Sequence, residues 1–319
     1  MRAVIRTTYG GPEVLSLKNV KRPVPKPKEL LIRVHATTIN RTDCGLLTGK
    51  PLIIRLFVGL RSPKHSIGGT DFAGEVIGIG SEVSNFELGD RVWGFNDEGL
   101  QSHAEYMVIN ETVAVAKIPD DVSYEHAAAS AEGAHYALNF INKVRIKTGD
   151  KVLVNGATGA IGSATVQILK YYNCKVTAVV NTKNIEMIKS LGVDKIYNWE
   201  QEDFTQDEDR YDFVCDSVGK STFGKCKHLL KDRGIYVSSE LGPGGENVYL
   251  PLLTLFSKKQ VKFPLPMNTR RSILFINRLM REGKFKSVID RHYKMDEIPQ
   301  AYKYVMTGQK TGNVILKIQ

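Results

Sequence analysis

The sequence predicts a two-part α/β chain: a β-rich first third, then a doubly wound parallel sheet. Three observations lead there. Before Pro119, short β-branched and aromatic runs are separated by glycine and proline turns. From Ser123 onward, helical and strand patterns alternate. The segment Asn155–Gly162 joins a strand directly to an apolar helix through a glycine-rich turn. The length of 319 residues fits two domains.

In chain order, Arg2–Arg6, Leu30–Ala36, Phe72–Ile79, Arg91–Phe95 and Ala104–Ile109 read as strands. Gly10-Gly11, the prolines at 23, 25 and 27, Gly68-Gly69, Gly80 and Gly89-Asp90 punctuate them, which predicts a small, bent antiparallel sheet or partial barrel. Ser123 is placed as the N-cap of a helix through YEHAAASAEGAHYALNFI, whose alanines favour that state. A strand Lys151–Asn155, a helix from Ala160 to Tyr172, a strand Lys175–Val180 and a helix over Asn184–Leu191 follow. Strands Lys195–Tyr197 and Phe213–Asp216, a helix Thr222–Leu230 and a strand Gly234–Ser238 continue the rhythm, which predicts parallel pairing with right-handed crossovers. After Val261 a helix near Arg271–Arg281, a strand Asp290–Tyr293, a helix Met295–Thr307 and a strand Asn313–Ile318 break that rhythm. This tail is expected to return to the first domain.

Composition closes several classes. With 42% hydrophobic and 24% charged residues the chain is neither disordered nor short of core. The net charge of +10 attracts anions: nucleic acid, anionic lipid or a phosphorylated small molecule. Surface lysine spread for solubility is the favoured account of it. Cys44, Cys174, Cys215 and Cys226 form no CxxC pair, which argues against a disulfide framework or a structural zinc cluster. The start MRAVIRTTYGG has no apolar signal region. Pro51–Leu60 is broken by Arg55 and is far shorter than the roughly 20 residues of a membrane span. A soluble, cytoplasmic protein is expected.

The strand–turn–helix at KVLVNGATGAIGSATVQILK carries the chemistry. Gly156, Gly159 and Gly162 permit a tight turn and a close backbone approach, so Gly156, Ala157, Thr158, Gly159, Ala160, Ile161 and Gly162 are candidates to cradle a pyrophosphate on the helix N-terminus. The alternative is a glycine-rich turn that binds nothing. About 20 residues on, an NAD enzyme places a carboxylate on the adenine ribose. Here Val179–Asn184 has no acid; Asn181 stands at the strand tip with Thr182 and Lys183, favouring NADP(H) over NAD(H). Lys183 also reads as an ordinary exposed lysine at a helix start.

Three motifs in order, GGTDFAGEVIGIGSEVSNFELGDRVWGF, VLVNGATGAIGSATVQ and DFVCDSVGKSTF, resemble the medium-chain dehydrogenase/reductase superfamily, in its zinc-free quinone oxidoreductase (zeta-crystallin-like) branch. The likeness runs from MRAVIRTTYGGPEVLSL to KTGNVILKI, nearly the whole chain. It implies a discontinuous GroES-like catalytic domain, residues 1–122 plus 264–319, and an inserted Rossmann NADP(H)-binding domain, residues 123–263, with nicotinamide and substrate in the cleft. It implies dimerisation through the edge strand of the nucleotide domain. Zinc-dependent members place a cysteine near Asn40 and a His–Glu pair at Thr70-Asp71, and the structural-zinc lobe is replaced by FNDEGLQSHAEY, so no metal is expected.

Without a Lewis acid, hydride is expected to go to an acceptor that is already electrophilic, a quinone or the β-carbon of an enone or alkenal. The resemblance marks Asn40 and Asp43 as catalytic candidates, with Asn40 near the nicotinamide ribose; turn capping is the other reading of Asp43. Ser217, Val218 and Ser239, at carboxyl ends of strands, and Asn313 are cofactor candidates. Trp199 stands where relatives often carry a tyrosine, and Ala134 where many carry threonine. No proton donor is identifiable. Leu52, Ile53, Ile54, Leu56 and Phe57 read as an apolar lid, as a helix packed on the catalytic domain, or as a membrane-surface contact beside Arg55, Arg61 and Lys64. The competing function is a nucleotide-binding protein of the same fold with little turnover, of the kind recruited as lens proteins or RNA binders. No aromatic–basic platform for RNA is evident, so neither nucleic acid nor a membrane span is expected.

Overall fold

Strand, turn and helix signals resolve into two compact units, Met1–Glu132 with Asn268–Gln319, and Gly133–Met267. The computed structural model describes residues 1–318, the side chain of Ile53 excepted.

In the first unit the long strand Glu29–Ile39 is the organising element. It pairs antiparallel with Asp71–Ile79, with Tyr106–Asn110 and with Asn313–Lys317. Arg91–Phe95 and Val115–Lys117 extend one side, and Ile289–Lys294 lies parallel to Asn313–Lys317 on the other. Register shifts at Leu31/Ile32 and Val34/Ala36 bend the sheet, and it closes over a core of Leu30, Ile32, Phe72, Val76, Val314 and Leu316. The tail thus returns to the first unit: Leu316 lies opposite Thr37.

The boundary differs from the expected one. Ser123 does cap a helix, its hydroxyl accepting from the His126 amide, but that helix ends at Ala129. Ser130 Oγ donates back to the His126 carbonyl, and a second helix starts at Glu132. Tyr124–Ala129 packs on Glu29–Ile39 and Asp71–Ile79 and buries Ala127, Ala128 and Ala129 there. Residues 123–132 therefore belong with the first unit.

In the second unit six parallel strands run in the spatial order Lys195–Asn198, Lys175–Val180, Lys151–Asn155, Tyr211–Asp216, Leu230–Ser238, Gln260–Lys262. Val152, Leu153 and Val154 are all fully buried, as a strand covered on both faces requires. The chain leaves Lys151–Asn155 toward one side of the sheet and later resumes on the other. That reversal opens a crevice at the carboxyl ends of the strands, where ligands bind in open sheets.

Candidate active site

The glycine turn lies at that reversal. Gly156 has φ +75°, a conformation that side chains resist, and a Cβ there would meet Val218 at 2.8 Å. At Gly162 a Cβ would fall 2.1 Å from the Gly156 carbonyl oxygen and 2.7 Å from Ala157 Cα, so glycine alone lets the helix start against the turn. Gly159 is different: a Cβ there would meet only the Gly156 carbonyl oxygen, at 3.7 Å, an ordinary contact. The 12-residue helix Ala160–Tyr171 begins at Gly159 with no side-chain cap, so Ala160, Ile161 and Gly162 present their amides there. Ala157 N–H donates to Val179 O at 3.2 Å and ties the loop to the next strand, while Thr158 is half-buried beside it. A cradle of this kind suits a pyrophosphate.

Beside it, buried Asp216 organises the following turn. Its carboxylate accepts from the amides of Val218, Gly219 and Ser221 at 3.0–3.2 Å, from Asn155 Nδ2 and from the Tyr236 hydroxyl. Burial raises its pKa, and the surrounding donors oppose that rise. Ser217 bonds the Asn155 carbonyl through both N–H and Oγ. Ser239 N–H donates to Asp216 O, and Ser239 Oγ is buried with no partner, a hydroxyl oriented for something the chain itself does not supply. Asp216 escapes a motif search, although an acid at a strand end before Ser-Val-Gly is the signal of such a turn.

The tip of Lys175–Val180 gathers Asn181, Lys183 and Trp199, because Trp199 N–H donates to Val180 O. Lys183 is exposed and Trp199 is 56% exposed. Val179–Asn184 itself carries no acid, but the fold brings one to the tip. Glu200, from the end of the neighbouring strand, accepts from Thr182 N–H at 3.0 Å and from Thr182 Oγ1 at 2.6 Å.

In the first unit Asn40 and Asp43 are each 1% exposed. They form a reciprocal cap on the helix Arg41–Thr48, Asp43 N–H donating to Asn40 Oδ1 at 2.8 Å and Asn40 N–H to Asp43 Oδ2 at 3.2 Å. Asn40 Nδ2 also donates to Thr70 Oγ1 at 2.8 Å. Asp71 accepts from Thr38 N–H at 2.7 Å and Thr38 Oγ1 at 2.5 Å, with Thr37 Oγ1 at 3.0 Å. Burial lifts Asp71 to about 6 against these donors. Burial and the Asp71 charge hold Asp43 well above the usual carboxylate range, and its Oδ1 has no partner. The capping expected of Asp43 is thus present, and it is shared with Asn40, both side chains being enclosed and mutually bonded. Asn313 is likewise turned inward: its N–H and Nδ2 both donate to Val288 O, at 2.9 and 3.0 Å.

Leu52–Ile54 and Arg55–Val58 are two short helical turns; Leu52, Leu56 and Phe57 are more than 60% exposed, whereas Ile54, Arg55 and Val58 are half-buried. Arg55 anchors the segment through Gly49 O and the Tyr9 ring, and Tyr9 Oη donates to Gly59 O. The side chain of Ile53 lies outside the described residues.

Residues 26–120 match the alcohol dehydrogenase GroES-like domain model, and residues 191–316 match the zinc-binding dehydrogenase model. A chloroplast envelope quinone oxidoreductase homolog of Arabidopsis thaliana is 32% identical over 99% of this chain and 98% of its own length. The chain belongs to the medium-chain dehydrogenase/reductase superfamily, in its quinone oxidoreductase branch. An NADPH-dependent alkenal/one oxidoreductase of the same plant is 27% identical over 99% of this chain and 79% of its own. The quinone oxidoreductase from Coxiella burnetii superposes with a TM-score of 0.86 at 25% identity, covering 100% of this chain and 99% of that one.

At the two positions where the resemblance places ligands in zinc-dependent relatives, Asn40 and Thr70 hydrogen-bond to each other. Among the described residues no group of three or more His, Cys, Asp or Glu is arranged to hold a metal. No described helix is long and apolar enough to cross a membrane.

Proposed function

We propose that this chain is a zinc-independent, NADPH-dependent reductase that passes hydride to a quinone or to the β-carbon of an α,β-unsaturated ketone or aldehyde. The observation that carries the reading is the uncapped helix N-terminus at Gly159, set against Gly156 and Gly162 where the strand order reverses. Ala160, Ile161 and Gly162 would hold the pyrophosphate through their amides. Ser217, Val218 and the unpartnered hydroxyl of Ser239 would line the rest of the dinucleotide. Asn181, Lys183 and Trp199 would meet the adenosine end, with the lysine ammonium drawn to a 2′-phosphate. When bound, the cofactor supplies the hydride.

The Asn40–Thr70 bond supports chemistry without a metal, which calls for an acceptor electrophilic in its own right. Asn40 and Asp43 then serve as positioning residues that fix the start of the helix Arg41–Thr48. Exposed Val248, Tyr249, Leu252, Leu253 and Phe256 stand by the edge strand Gln260–Lys262, an arrangement that supports a homodimer. Four unpaired thiols are in keeping with a reducing, cytoplasmic setting.

The test is NADPH oxidation at 340 nm by chelator-dialysed protein with a naphthoquinone, a phenanthrenequinone, an alkyl vinyl ketone and a 2-alkenal. Turnover that survives chelation is expected. Tight nucleotide binding with no turnover on any acceptor would replace the reductase with a binding protein.

A further inference from the structure

The second strand of a dinucleotide-binding sheet ends where the adenosine ribose lies. At this tip Thr182 offers two donors, its backbone N–H and its hydroxyl, and a neighbouring carboxylate occupies both. Asn198 Nδ2 donates to Thr182 Oγ1 at 2.8 Å, which turns the hydroxyl proton toward Glu200. The Trp199 N–H bond to Val180 O holds the chain so that the next residue meets the tip. Glu200 is exposed, and the two Thr182 bonds followed by the Lys183 charge keep its carboxyl below the usual range, so it is ionised at neutral pH.

A carboxylate seated on an amide, a hydroxyl and beside an ammonium occupies the donor set that an adenosine 2′-phosphate would use. It is also an acceptor for a ribose 2′-hydroxyl. We infer that Glu200 is a specificity-determining residue that opposes the 2′-phosphate and accepts the 2′-hydroxyl. It works against Lys183, so that the chain uses NADPH while retaining NADH. This rests on the dinucleotide reading above and adds to it a residue supplied from the adjacent strand rather than from the tip itself.

Calorimetric titration of NADPH and NADH into the full chain, wild type and Glu200→Gln, tests it. Glutamine keeps an oxygen for the Thr182 donors and removes the charge, so a merely structural role for Glu200 would leave the affinity ratio unmoved. Glu200→Gln is expected to tighten NADPH roughly five- to tenfold, the order for one carboxylate facing a dianion across a water-like medium. It should weaken NADH roughly five- to tenfold, the difference between a charge-assisted and a neutral hydrogen bond, since the glutamine oxygen still accepts. Lys183→Ala should shift the NADPH affinity in the opposite direction and leave NADH alone. The Glu200→Gln effect on NADPH should shrink in 0.5 M salt, as for exposed charges at about 0.15 M and above. If both nucleotides bind and Glu200→Gln leaves their ratio unchanged, the inference is wrong and the dinucleotide reading stands. If wild type binds neither nucleotide, both fall.

Discussion

Gly159 and Gly162 differ by three positions, and substituting alanine at each should separate stability from binding. At Gly162 the new methyl would stand 2.1 Å from a carbonyl oxygen and 2.7 Å from a Cα. Both partners are backbone, so relief requires the turn or the helix to move. Overpacking of this kind costs about 1–3 kcal/mol. For a unit the size of Gly133–Met267 that is a drop in melting temperature of roughly 4–12 °C. At Gly159 the nearest atom is 3.7 Å away and the backbone lies at φ −74°, ψ 173°, which alanine adopts freely. The weaker cap and the smaller unfolded-state entropy nearly cancel there, each being about 0.5–1 kcal/mol, and the melting temperature should stay within ~2 °C of wild type. The methyl nevertheless adds bulk at the residue that leads into the Ala160–Gly162 amides, where the proposed pyrophosphate would sit. NADPH affinity should fall at least ~10-fold through loss of charge-assisted contacts. Differential scanning fluorimetry and nucleotide titration on the two variants read both quantities. A Gly159→Ala protein that binds NADPH normally would refute the placement of the phosphates, and a Gly162→Ala protein as stable as wild type would refute the close approach.

Asp71 predicts a pH signature. Burial raises its pKa to about 6, above its unfolded value, so the folded state holds a proton that the unfolded chain has lost between pH 4 and 6. Its contribution to stability is therefore present below about pH 4 and disappears as pH rises to 6. The difference in urea stability between wild type and Asp71→Asn should fall by roughly 1–3 kcal/mol across that window and stay flat above it; a flat difference throughout would contradict the assignment. Burial pushes the thiols of Cys44 and Cys215 to about 12 and those of Cys174 and Cys226 to about 11. Native protein at pH 7.5 should thus react with iodoacetamide at least ~100-fold more slowly than a free thiol, and urea should release all four. Phe256→Asp, a change at a side chain 96% exposed, should turn the proposed homodimer into a monomer in sedimentation velocity without lowering the melting temperature of the monomer; wild type that already sediments as a monomer would refute the dimer.

Legibility followed burial. Arg91–Phe95, Lys151–Asn155 and Lys175–Val180 run as the sequence predicts, because apolar runs bounded by turns have few other ways to hide their side chains. Ser16–Asn19 is exposed at every residue, so its pairing with Arg2–Ile5 left no alternation to read. Glu246–Leu253 was invisible for another reason: Gly242, Gly244 and Gly245 read as a turn, Pro251 sits inside the helix, and Leu252 and Leu253 face outward while only Leu250 packs on the core. The phosphate turn was legible since its partners are adjacent in sequence. The Asn40–Thr70 and Thr182–Glu200 contacts were not, since each joins residues that only the sheet brings together.

The placement of Asn313–Lys317 between Glu29–Ile39 and Ile289–Lys294 has a consequence for how the chain is made. During synthesis Thr37 waits for Leu316 across nearly the full length of the chain, whereas every strand of the six-stranded sheet lies within one uninterrupted segment. Closing so long a loop is slow, and segments generally fold in the order in which they leave the ribosome. The nucleotide-binding unit can thus mature while the exposed edge of Glu29–Ile39 is still open, and the earliest folded intermediate should be able to bind dinucleotide before it can carry out any reduction. Until the last strand arrives, that open edge is the part of the chain most in need of a chaperone.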